Sequence, residues 1–319
     1  MEKIQVELIQ EAKKLGIAID LLEDCATSTI LLSKNGKAIL FSENGVPLEG
    51  ISKQAAFIAD NKQYSKRIFK QLSIPYPKSL VFGDYYQEKE KLATFMNAGK
   101  YYVCKPLLGM EGEGVQLHCN NLAKVEAAWL PWKNKYQHFL LEEQIQGKDL
   151  RIQAVGGKMV AACMRQPATL IGNGQDTVAE LLAQQQAHIK AQNPANSLVV
   201  DEQVEALVAQ QQVQWEDVLA QGQSLQLKEV ANMNKGATAY DITEEIHPAY
   251  ATWIEQIFEV MQQRVFALDI ITQDYTQAPT ATTAWALEIN GESYWLHHTF
   301  SERRTHNMAA LILKDTFGL

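Results

Sequence analysis

The segment Val103–Val115 reads Val-Cys-Lys-Pro-Leu-Leu-Gly-Met-Glu-Gly-Glu-Gly-Val and is the most informative stretch of the chain. Tyr101 and Tyr102 begin a β-prone run, and Lys105 stands where that strand is predicted to end. A loop with Gly109, Gly112 and Gly114 follows. Glycine permits positive φ angles and lets main-chain N–H groups approach an anion. A lysine followed by such a loop suits a nucleotide triphosphate, and a glycine-rich surface loop is the equally weighted alternative.

The loop differs from the two best-known phosphate-binding loops. It lacks the Gly-Lys-Ser/Thr ending of a P-loop and the third glycine of a dinucleotide fingerprint, and no helical pattern opens directly behind it. If it binds phosphate, it does so in another architecture.

Composition sets the class of protein. The chain has 319 residues, 46% of them hydrophobic and 21% charged, which is enough for two or three globular lobes. A net charge of −8 argues against nucleic acid or a membrane surface as a general partner. With no signal peptide and no apolar run of about 18 residues, we expect a cytoplasmic protein. Scattered cysteines indicate a reduced compartment and mostly buried thiols, at Cys25, Cys104, Cys119 and Cys163.

Apolar spacing predicts the elements that surround the loop. Residues 1–50 form a small mixed α/β lobe with a hairpin turn at Asn35-Gly36. Ser52–Leu72 is predicted as one long helical region, with Lys66 and Lys70 on its solvated basic face.

Further along, alternating and continuous apolar runs predict strands. Phe139–Glu143 is one strand, and Gly156-Gly157 is the turn of a second hairpin. Leu198–Gln221 has helical spacing, and Phe266–Thr272 and Ala284–Asn290 are predicted as adjacent buried strands.

These last two strands carry acidic residues in apolar surroundings. Glu288 and Asn290 are two residues apart, so they project from the same face of their strand, and Asp269 projects from the neighbouring strand. Acidic groups are rarely buried unless they are paired or bind a cation. Two carboxylates and an amide oxygen suit Mg²⁺ that bridges phosphates, and pairing with lysines or arginines is the alternative.

The motifs occur in the order of a known family, and the chain resembles the ATP-grasp carboxylate–amine ligases. It is most similar to the ATP-grasp parts of cyanophycin synthetases and of bifunctional glutamate–cysteine ligase/glutathione synthetases. The matching stretches run from about residue 50 to the C-terminal helix: Asp60-Asn61-Lys62 with Lys66-Arg67, Lys105–Val115, Glu142–Arg151, Val155–Ala162, Ile171–Gly174, Ala231–Thr243, Leu268–Ile271 and Glu288–Asn290.

The resemblance implies a role for each matching residue. Lys62 and Lys105 resemble the two ATP-phosphate lysines, and the three glycines resemble the flap over the phosphates. The adenine hinge would comprise Glu142 with the backbone of Glu143 and Ile145. Asp149 resembles the ribose ligand, and Asp269, Glu288 and Asn290 resemble the Mg²⁺ ligands. Arg165 and Asn232 resemble groups near the acyl phosphate. For Arg165, a surface arginine that closes a hairpin is the equally weighted alternative.

The resemblance also implies an α/β ATP-grasp fold of α+β lobes, with the nucleotide held between two of them. The implied division is a leading lobe at 1–50, a central lobe with the flap at 51–144 and a C-terminal lobe with the metal site at 145–319. The implied chemistry joins an amino-acid or peptide carboxylate to an amine, with ATP and Mg²⁺, or Mn²⁺, as cofactors. A dimer or tetramer is common in the family. The chain lacks the further catalytic domains of those relatives, so we expect a stand-alone ligase or half of a pathway.

Two other function classes remain open at this point. Some ATP-grasp proteins phosphorylate a substrate and stop, and a non-catalytic ATP-binding protein is a third alternative. The two lysines, the acidic residue implied to bind ribose and the three implied Mg²⁺ ligands are all present. This argues against the third alternative, because a degenerate site would be expected to lose some of them.

One segment departs from the family pattern. After Asn290 the family usually continues with a small loop containing proline and glycine, whereas Gly291–His298 carries bulky aromatics and paired histidines. Two interpretations of His297 and His298 follow: structural hydrogen bonding, or an unusual substrate pocket.

Overall fold

The structure, a computed structural model, describes residues 2–22, 28–49, 51–109, 112–194 and 196–319, and only the main chain of residue 60. The cysteine at position 25 lies outside these ranges, and so do Met110 and Glu111 of the glycine loop. The helices of the described residues are α1 (Lys3–Lys14), α2 (Lys53–Asp60), α3 (Lys62–Gln71), α4 (Lys89–Phe95), α5 (Leu122–Trp129), α6 (Val178–Gln192), α7 (Glu202–Gln210), α8 (Ala249–Met261), α9 (Leu296–Thr299) and α10 (Met308–Phe317).

The strands of the described residues form four antiparallel sheets. In spatial order the sheets are β1-β2-β3, β4-β7-β5-β6, β12-β9-β8-β13-β14 and β10-β11. The strands are β1 (Ala18–Asp20), β2 (Ile30–Lys34), β3 (Lys37–Phe41), β4 (Ser79–Phe82), β5 (Tyr102–Pro106), β6 (Gln116–Cys119), β7 (Phe139–Glu143), β8 (Lys148–Val155), β9 (Lys158–Gln166), β10 (Thr169–Ile171), β11 (Ser224–Gln226), β12 (Thr238–Asp241), β13 (Val265–Thr272) and β14 (Ala284–Asn290).

The five-stranded sheet has one apolar face and one polar face. Side chains of a strand alternate between faces, so Leu150 and Ile152 of β8 point to the side opposite Asp149 and Arg151. The apolar side packs against α8, whose Ile254 and the neighbouring apolar residues are buried in the largest core cluster. This leaves the other face of the sheet to carry charged and amide side chains.

Both predicted hairpins and the predicted strand pair are confirmed. Asn35 and Gly36 have φ angles of 52° and 78°, as a two-residue turn with two left-handed positions requires. Gly156-Gly157 joins β8 to β9 in the same way, and β13 pairs with β14. The N-terminal α1 and the C-terminal α10 share one apolar core. The lobe boundaries at residues 50 and 144 stay a prediction.

The predicted continuous helix over Ser52–Leu72 is wrong. Asn61 has an extended backbone, with φ −124° and ψ 111°, and separates α2 from α3. Its side-chain oxygen accepts the main-chain N–H groups of Gln63 and Tyr64, which caps α3. An asparagine cap therefore outweighed the helical spacing of the apolar residues.

The helix predicted over Leu198–Gln221 is shorter than expected. Asp201 caps the N-terminus of α7, and the helix ends at Gln210, because Gln212 adopts a left-handed φ of 59°. The residues beyond it lead to β11, which pairs with β10 to form a two-stranded sheet over a separate small core.

Three of the four thiols lie within the described ranges, and all three are buried and free, at Cys104, Cys119 and Cys163. No helix among the described residues is both long enough and apolar enough to cross a bilayer.

Candidate active site

Strand register places a row of charged residues across the polar face of the five-stranded sheet. Arg151 of β8 lies opposite Asp269 of β13, which lies opposite Glu288 of β14. On the other side of β8, Asp149 lies opposite Arg165 of β9. Because directly opposite side chains in a sheet are neighbours, the register alone brings these five residues together.

Four of these residues form a mostly buried ionic cluster, which we call the arginine–aspartate network: Asp149, Arg151, Arg165 and Asp269. Arg151 donates from Nε and Nη2 to the two carboxylate oxygens of Asp269, both at 2.8 Å. Arg165 Nη2 donates to Asp149 at 2.6 Å, and its Nη1 lies 3.2 Å from Asp269. Burial opposes ionisation of Asp269, but Arg151 and Arg165 outweigh it and hold the pKa of this carboxyl at about 2.

The other two predicted metal ligands adjoin the network. Glu288 Oε2 lies 3.5 Å from Lys62 Nζ. Asn290 is near enough to Asp269 to lower its pKa, although Nδ2 of Asn290 makes no hydrogen bond of ordinary geometry with any described residue. The carboxylates of Asp269 and Glu288 lie on paired strands as predicted, and each also contacts a cationic side chain, as the pairing alternative expects. The metal role of these residues stays a prediction.

The donor set fits a magnesium ion. Mg²⁺ is commonly held by one or two carboxylates together with substrate phosphates. Asp269, Glu288 and Asn290 supply carboxylate and amide oxygens on adjacent strands, and a carboxylate oxygen that accepts from arginine keeps a second lone pair. Within the described ranges, His, Cys, Asp and Glu form no group of three suited to a metal, so a cation here would need phosphate oxygens too.

A second ionic cluster lies on the four-stranded sheet, and we call its members, Lys66, Lys105 and Glu142, the lysine triad. Lys105 Nζ donates to Oε1 of Glu142 at 2.9 Å, and Lys66 Nζ pairs with Oε2. Burial would raise the pKa of Glu142, but Lys105 and Lys66 outweigh it and set the pKa at about 2. Burial lowers the pKa of Lys66.

The prediction of a solvated Lys66 is wrong. Lys66 is 2% exposed, whereas Lys70 is exposed as predicted. The cause is that α3 packs against β14 through this face, where Ser65 Oγ accepts the N–H of Ile289 at 3.2 Å. A helical surface that is polar in sequence is thereby buried against a strand edge.

Lys62, Lys105, Asp269 and Glu288 come together between the four-stranded and the five-stranded sheets, and we call this region the cleft. Burial would lower the pKa of Lys105, but Glu142, Glu288 and Asp269 outweigh it and raise the pKa above its ordinary value. Lys62 lies between them, since its Nζ donates to the carbonyl of Gly109 at 2.6 Å and faces Glu288. The structure therefore brings both predicted phosphate lysines beside the carboxylates.

The described part of the glycine loop adjoins this cleft, since Gly109 accepts from Lys62. Gly114 has a φ of 67°, and a Cβ there would lie 2.9 Å from Cγ of Pro106, so the loop requires glycine at this position. Gly112 has a φ of 72° and lies beside Asn232, whose Nδ2 would be 4.0 Å from an added Cβ. Glu113 anchors the loop through a contact of 2.6 Å with Lys135 Nζ.

The predicted hinge is partly engaged by the protein itself. The carboxylate of Glu142 is buried in the lysine triad, so an adenine contact there would have to use the main chain. The N–H of Glu143 donates to the carbonyl of Lys78 at 2.9 Å, and Ile145 is partly buried. Asp149 is partly exposed and bound to Arg165. The nucleotide roles of these residues stay predictions.

The segment after Asn290 turns its histidines inward. His297 Nδ1 lies 3.2 Å from Arg151 Nη1, which fits the structural interpretation. His298 is fully buried, and neither of its ring nitrogens has a hydrogen-bond partner among the described residues, so hydrogen bonding does not explain it. Burial, with Arg151 nearby, lowers the pKa of His298 to about 3.

Sequence reasoning missed two charged members of this site. Arg151 was quoted within a matching motif but given no role, although it follows Asp149 by two residues and so shares its face of the strand. Lys66 follows Lys62 by one helical turn, and its burial was signalled by the neighbouring Ile68 and Phe69, both buried.

The chain is similar to two kinds of curated protein. Cyanophycin synthetase from Geminocystis herdmanii is 27% identical over 267 residues, which cover 82% of this chain and 30% of the relative. The glutathione biosynthesis bifunctional protein of Mannheimia succiniciproducens is 24% identical over an alignment of 333 positions, gaps included, which covers 99% of this chain and 43% of the relative. The chain thus spans less than half the length of these relatives. No protein-family model matches it.

A solved structure shares the whole fold. The bifunctional glutathione synthetase of Pasteurella multocida aligns with a TM-score of 0.70 and 21% identity over 98% of this chain and 43% of that one. The fold predicted from the sequence is thereby confirmed: the chain has the α/β ATP-grasp fold.

Proposed function

We propose that this chain is an ATP-dependent ligase that activates a substrate carboxylate as an acyl phosphate and joins it to an amine, with release of ADP and phosphate. The observation that carries the proposal is the placement of Lys62 Nζ 3.5 Å from Glu288, with Lys105 near enough to Glu288 and Asp269 for both carboxylates to raise its pKa. Lysines on one side and oxygen ligands on the other are what a triphosphate with its magnesium ion requires.

In the first step, a carboxylate oxygen of the substrate attacks the γ-phosphorus of ATP, and the bond to the β-phosphate oxygen breaks to release ADP. Both partners are anionic, so the main task of the protein is to neutralise charge and align the groups. Lys62 and Lys105 neutralise the phosphates, and Asp269, Glu288 and Asn290 would hold Mg²⁺. When bound, the ion would supply further charge neutralisation.

In the second step, the amine nitrogen attacks the acyl carbon, phosphate leaves, and the nitrogen loses a proton. Gly109, Gly112 and Gly114 would shield the acyl phosphate from water. Arg165 and Asn232 are proposed to lie near this intermediate, the first from the polar sheet face and the second from beside the flap.

The same reasoning carries the finer assignments. Main-chain groups of Glu142, Glu143 and Ile145 would hold adenine, and Asp149 would bind ribose in competition with Arg165. The substrates are proposed to be amino acids or peptides, in line with the names of the relatives. We further propose that the enzyme acts in the cytoplasm and forms a homodimer or homotetramer.

The experiment is to incubate the chain with ATP, Mg²⁺ and amino-acid pools and to measure ADP. ADP release that requires two co-substrates supports a ligase, whereas release with one co-substrate and a stable phosphorylated product identifies a kinase. We expect Lys105→Ala and Glu288→Gln to abolish ADP formation. Lys105→Ala should stay folded because Glu142 keeps Lys66 as its partner.

Lys70→Ala is the matched control, since this lysine is exposed on α3 and belongs to neither the lysine triad nor the arginine–aspartate network. It should turn over at the wild-type rate. Full turnover by either site variant would remove the proposed site.

A further inference from the structure

Lys66 is a buried charge that the proposed chemistry does not use. Its side chain is 2% exposed, and an ammonium group is costly to remove from water unless it is well paired. A methionine or leucine would fill the same space without that cost. The charge itself therefore calls for an explanation.

The contacts of Lys66 point toward the phosphate lysine. Its Nζ pairs with Oε2 of Glu142, whose other oxygen accepts from Lys105. The remaining contacts are weaker: the carbonyl of Leu287 at 3.5 Å and the ring of Tyr76 at 5.9 Å. Lys66 thus acts on its surroundings chiefly through Glu142.

Sharing one carboxylate changes what Lys105 presents to the cleft. If Glu142 faced Lys105 alone, the pair would be neutral, and its attraction for a phosphate would be weak. With Lys66 on the second oxygen, the triad carries one more positive than negative charge. In a buried site such a difference is poorly screened by solvent.

We propose that Lys66 is a positioning residue for nucleotide phosphates: it neutralises Glu142 so that Lys105 is held in place yet keeps its charge for ATP. This inference rests on the proposed ATP-binding function. Lys66 touches no phosphate itself and acts through Glu142 and Lys105.

The test measures binding of Mg·ATP and of AMP by calorimetry on the full chain, together with KM and kcat for ATP. Lys66→Met should weaken ATP binding about tenfold and raise KM, with a smaller change in kcat, because the potential at the phosphates falls. AMP binding should change less than about twofold, since AMP lacks the phosphates nearest Lys105. Lys66→Arg keeps the charge and should recover most of the ATP affinity.

A double variant separates the electrostatic role from a structural one. In Lys66→Met/Glu142→Gln, Lys105 regains an uncompensated charge, so ATP should bind more tightly than to Lys66→Met alone. If Lys66 merely fills space, the double variant should bind ATP as weakly as Lys66→Met or more weakly, and AMP binding should fall in parallel. Lys70→Met is the control on the same helix and should match the wild type.

The outcomes are distinguishable from failure of the proposed function. If the wild type binds ATP and Lys66→Met binds it equally well, the inference about Lys66 is overturned alone. If the wild type binds no ATP, the proposed function is overturned and the role of Lys66 falls with it.

Discussion

The lysine triad and the arginine–aspartate network are both buried ionic clusters beside one cleft, yet they differ in charge and in origin. The triad places two cations on one carboxylate, whereas the network places two guanidinium groups on two carboxylates. The first carries an excess positive charge, and the second is balanced.

The difference in origin follows from the elements that supply each cluster. The network arises from register within one sheet, so every ionic contact joins residues on neighbouring strands or one strand further. The triad combines two strands of the four-stranded sheet with α3, which also packs on β14 of the other sheet. A planar guanidinium fork fixes geometry, whereas an ammonium group is an adaptable point charge. We infer that the network sets the shape of the site and the triad sets its potential.

Removal of the shared carboxylate should have the largest effect. Glu142→Gln leaves two buried ammonium groups without a counter-ion, and we expect a loss of about 3–5 kcal/mol in the free energy of unfolding. Urea denaturation at pH 7 measures this loss. Glu143→Gln is the matched control, because Glu143 is adjacent in sequence but pairs with the half-exposed Lys100, and its loss should be much smaller.

The same variant should change the acid limb of the stability curve. The pKa of Glu142 is about 2 in the folded state and near the ordinary 4.5 when unfolded. Its stabilisation is therefore present above about pH 4.5 and is lost as the pH falls toward 2. Glu142→Gln should flatten this limb, although Asp269 titrates in the same range. An unchanged limb would show that Glu142 is not ionised in the fold.

Breaking the network should have the next largest effect. Arg151→Ala removes the fork from Asp269 and leaves only Arg165, at 3.2 Å, so we expect a loss of about 3 kcal/mol. Arg264→Ala removes an equally bidentate contact with Asp315, but Arg264 is 42% exposed, and the loss should be about 1 kcal/mol or less. Equal losses in urea denaturation would mean that solvent reaches Asp269.

The network arises within one sheet and the triad combines several elements, and this difference decides how much of each cluster the sequence predicted. Asp269 of the network and the adjoining Glu288 were predicted to meet because period-two spacing and two adjacent apolar strands fix the faces of both residues. Lys105 was identified by its position at the end of a strand before a glycine loop. These are local patterns, and a single stretch of sequence contains them.

Partners from other elements were harder to predict. Whether α3 is solvated depends on which sheet it packs against, so helical spacing alone placed Lys66 wrongly on a solvated face. The break at Asn61 was missed because its cap competes with an uninterrupted helical pattern. The pairing of Arg151 with Asp269 required the order of β8 and β13, which no local spacing shows.

The smallest effect concerns the histidine behind the network. The pKa of His298 is lowered to about 3, and burial is the largest cause. Arg151, His306 and Arg165 lower it further, in that order, and together these effects outweigh Asp269, which raises it. An unfolded histidine titrates near 6.5, so between pH 6.5 and 3 the unfolded state binds the additional proton. Stability should therefore fall as the pH is lowered, by at most about 1.4 kcal/mol per pH unit for this one group.

Urea denaturation between pH 7 and 5 tests this slope in the wild type, in His298→Gln and in His188→Gln. His188 is 56% exposed, and its replacement should leave the slope unchanged. His297 has a pKa lowered in the same direction by burial and Arg151, so His298→Gln should remove about half of the slope and not all of it. If His298→Gln retains the full wild-type slope, the ring takes up a proton in the folded state, and the network must then supply a negative potential behind Asp269. In that case the two clusters would differ in electrostatic potential by more than the balanced charges of the network imply. The lysine triad would attract anions, and the network would attract cations.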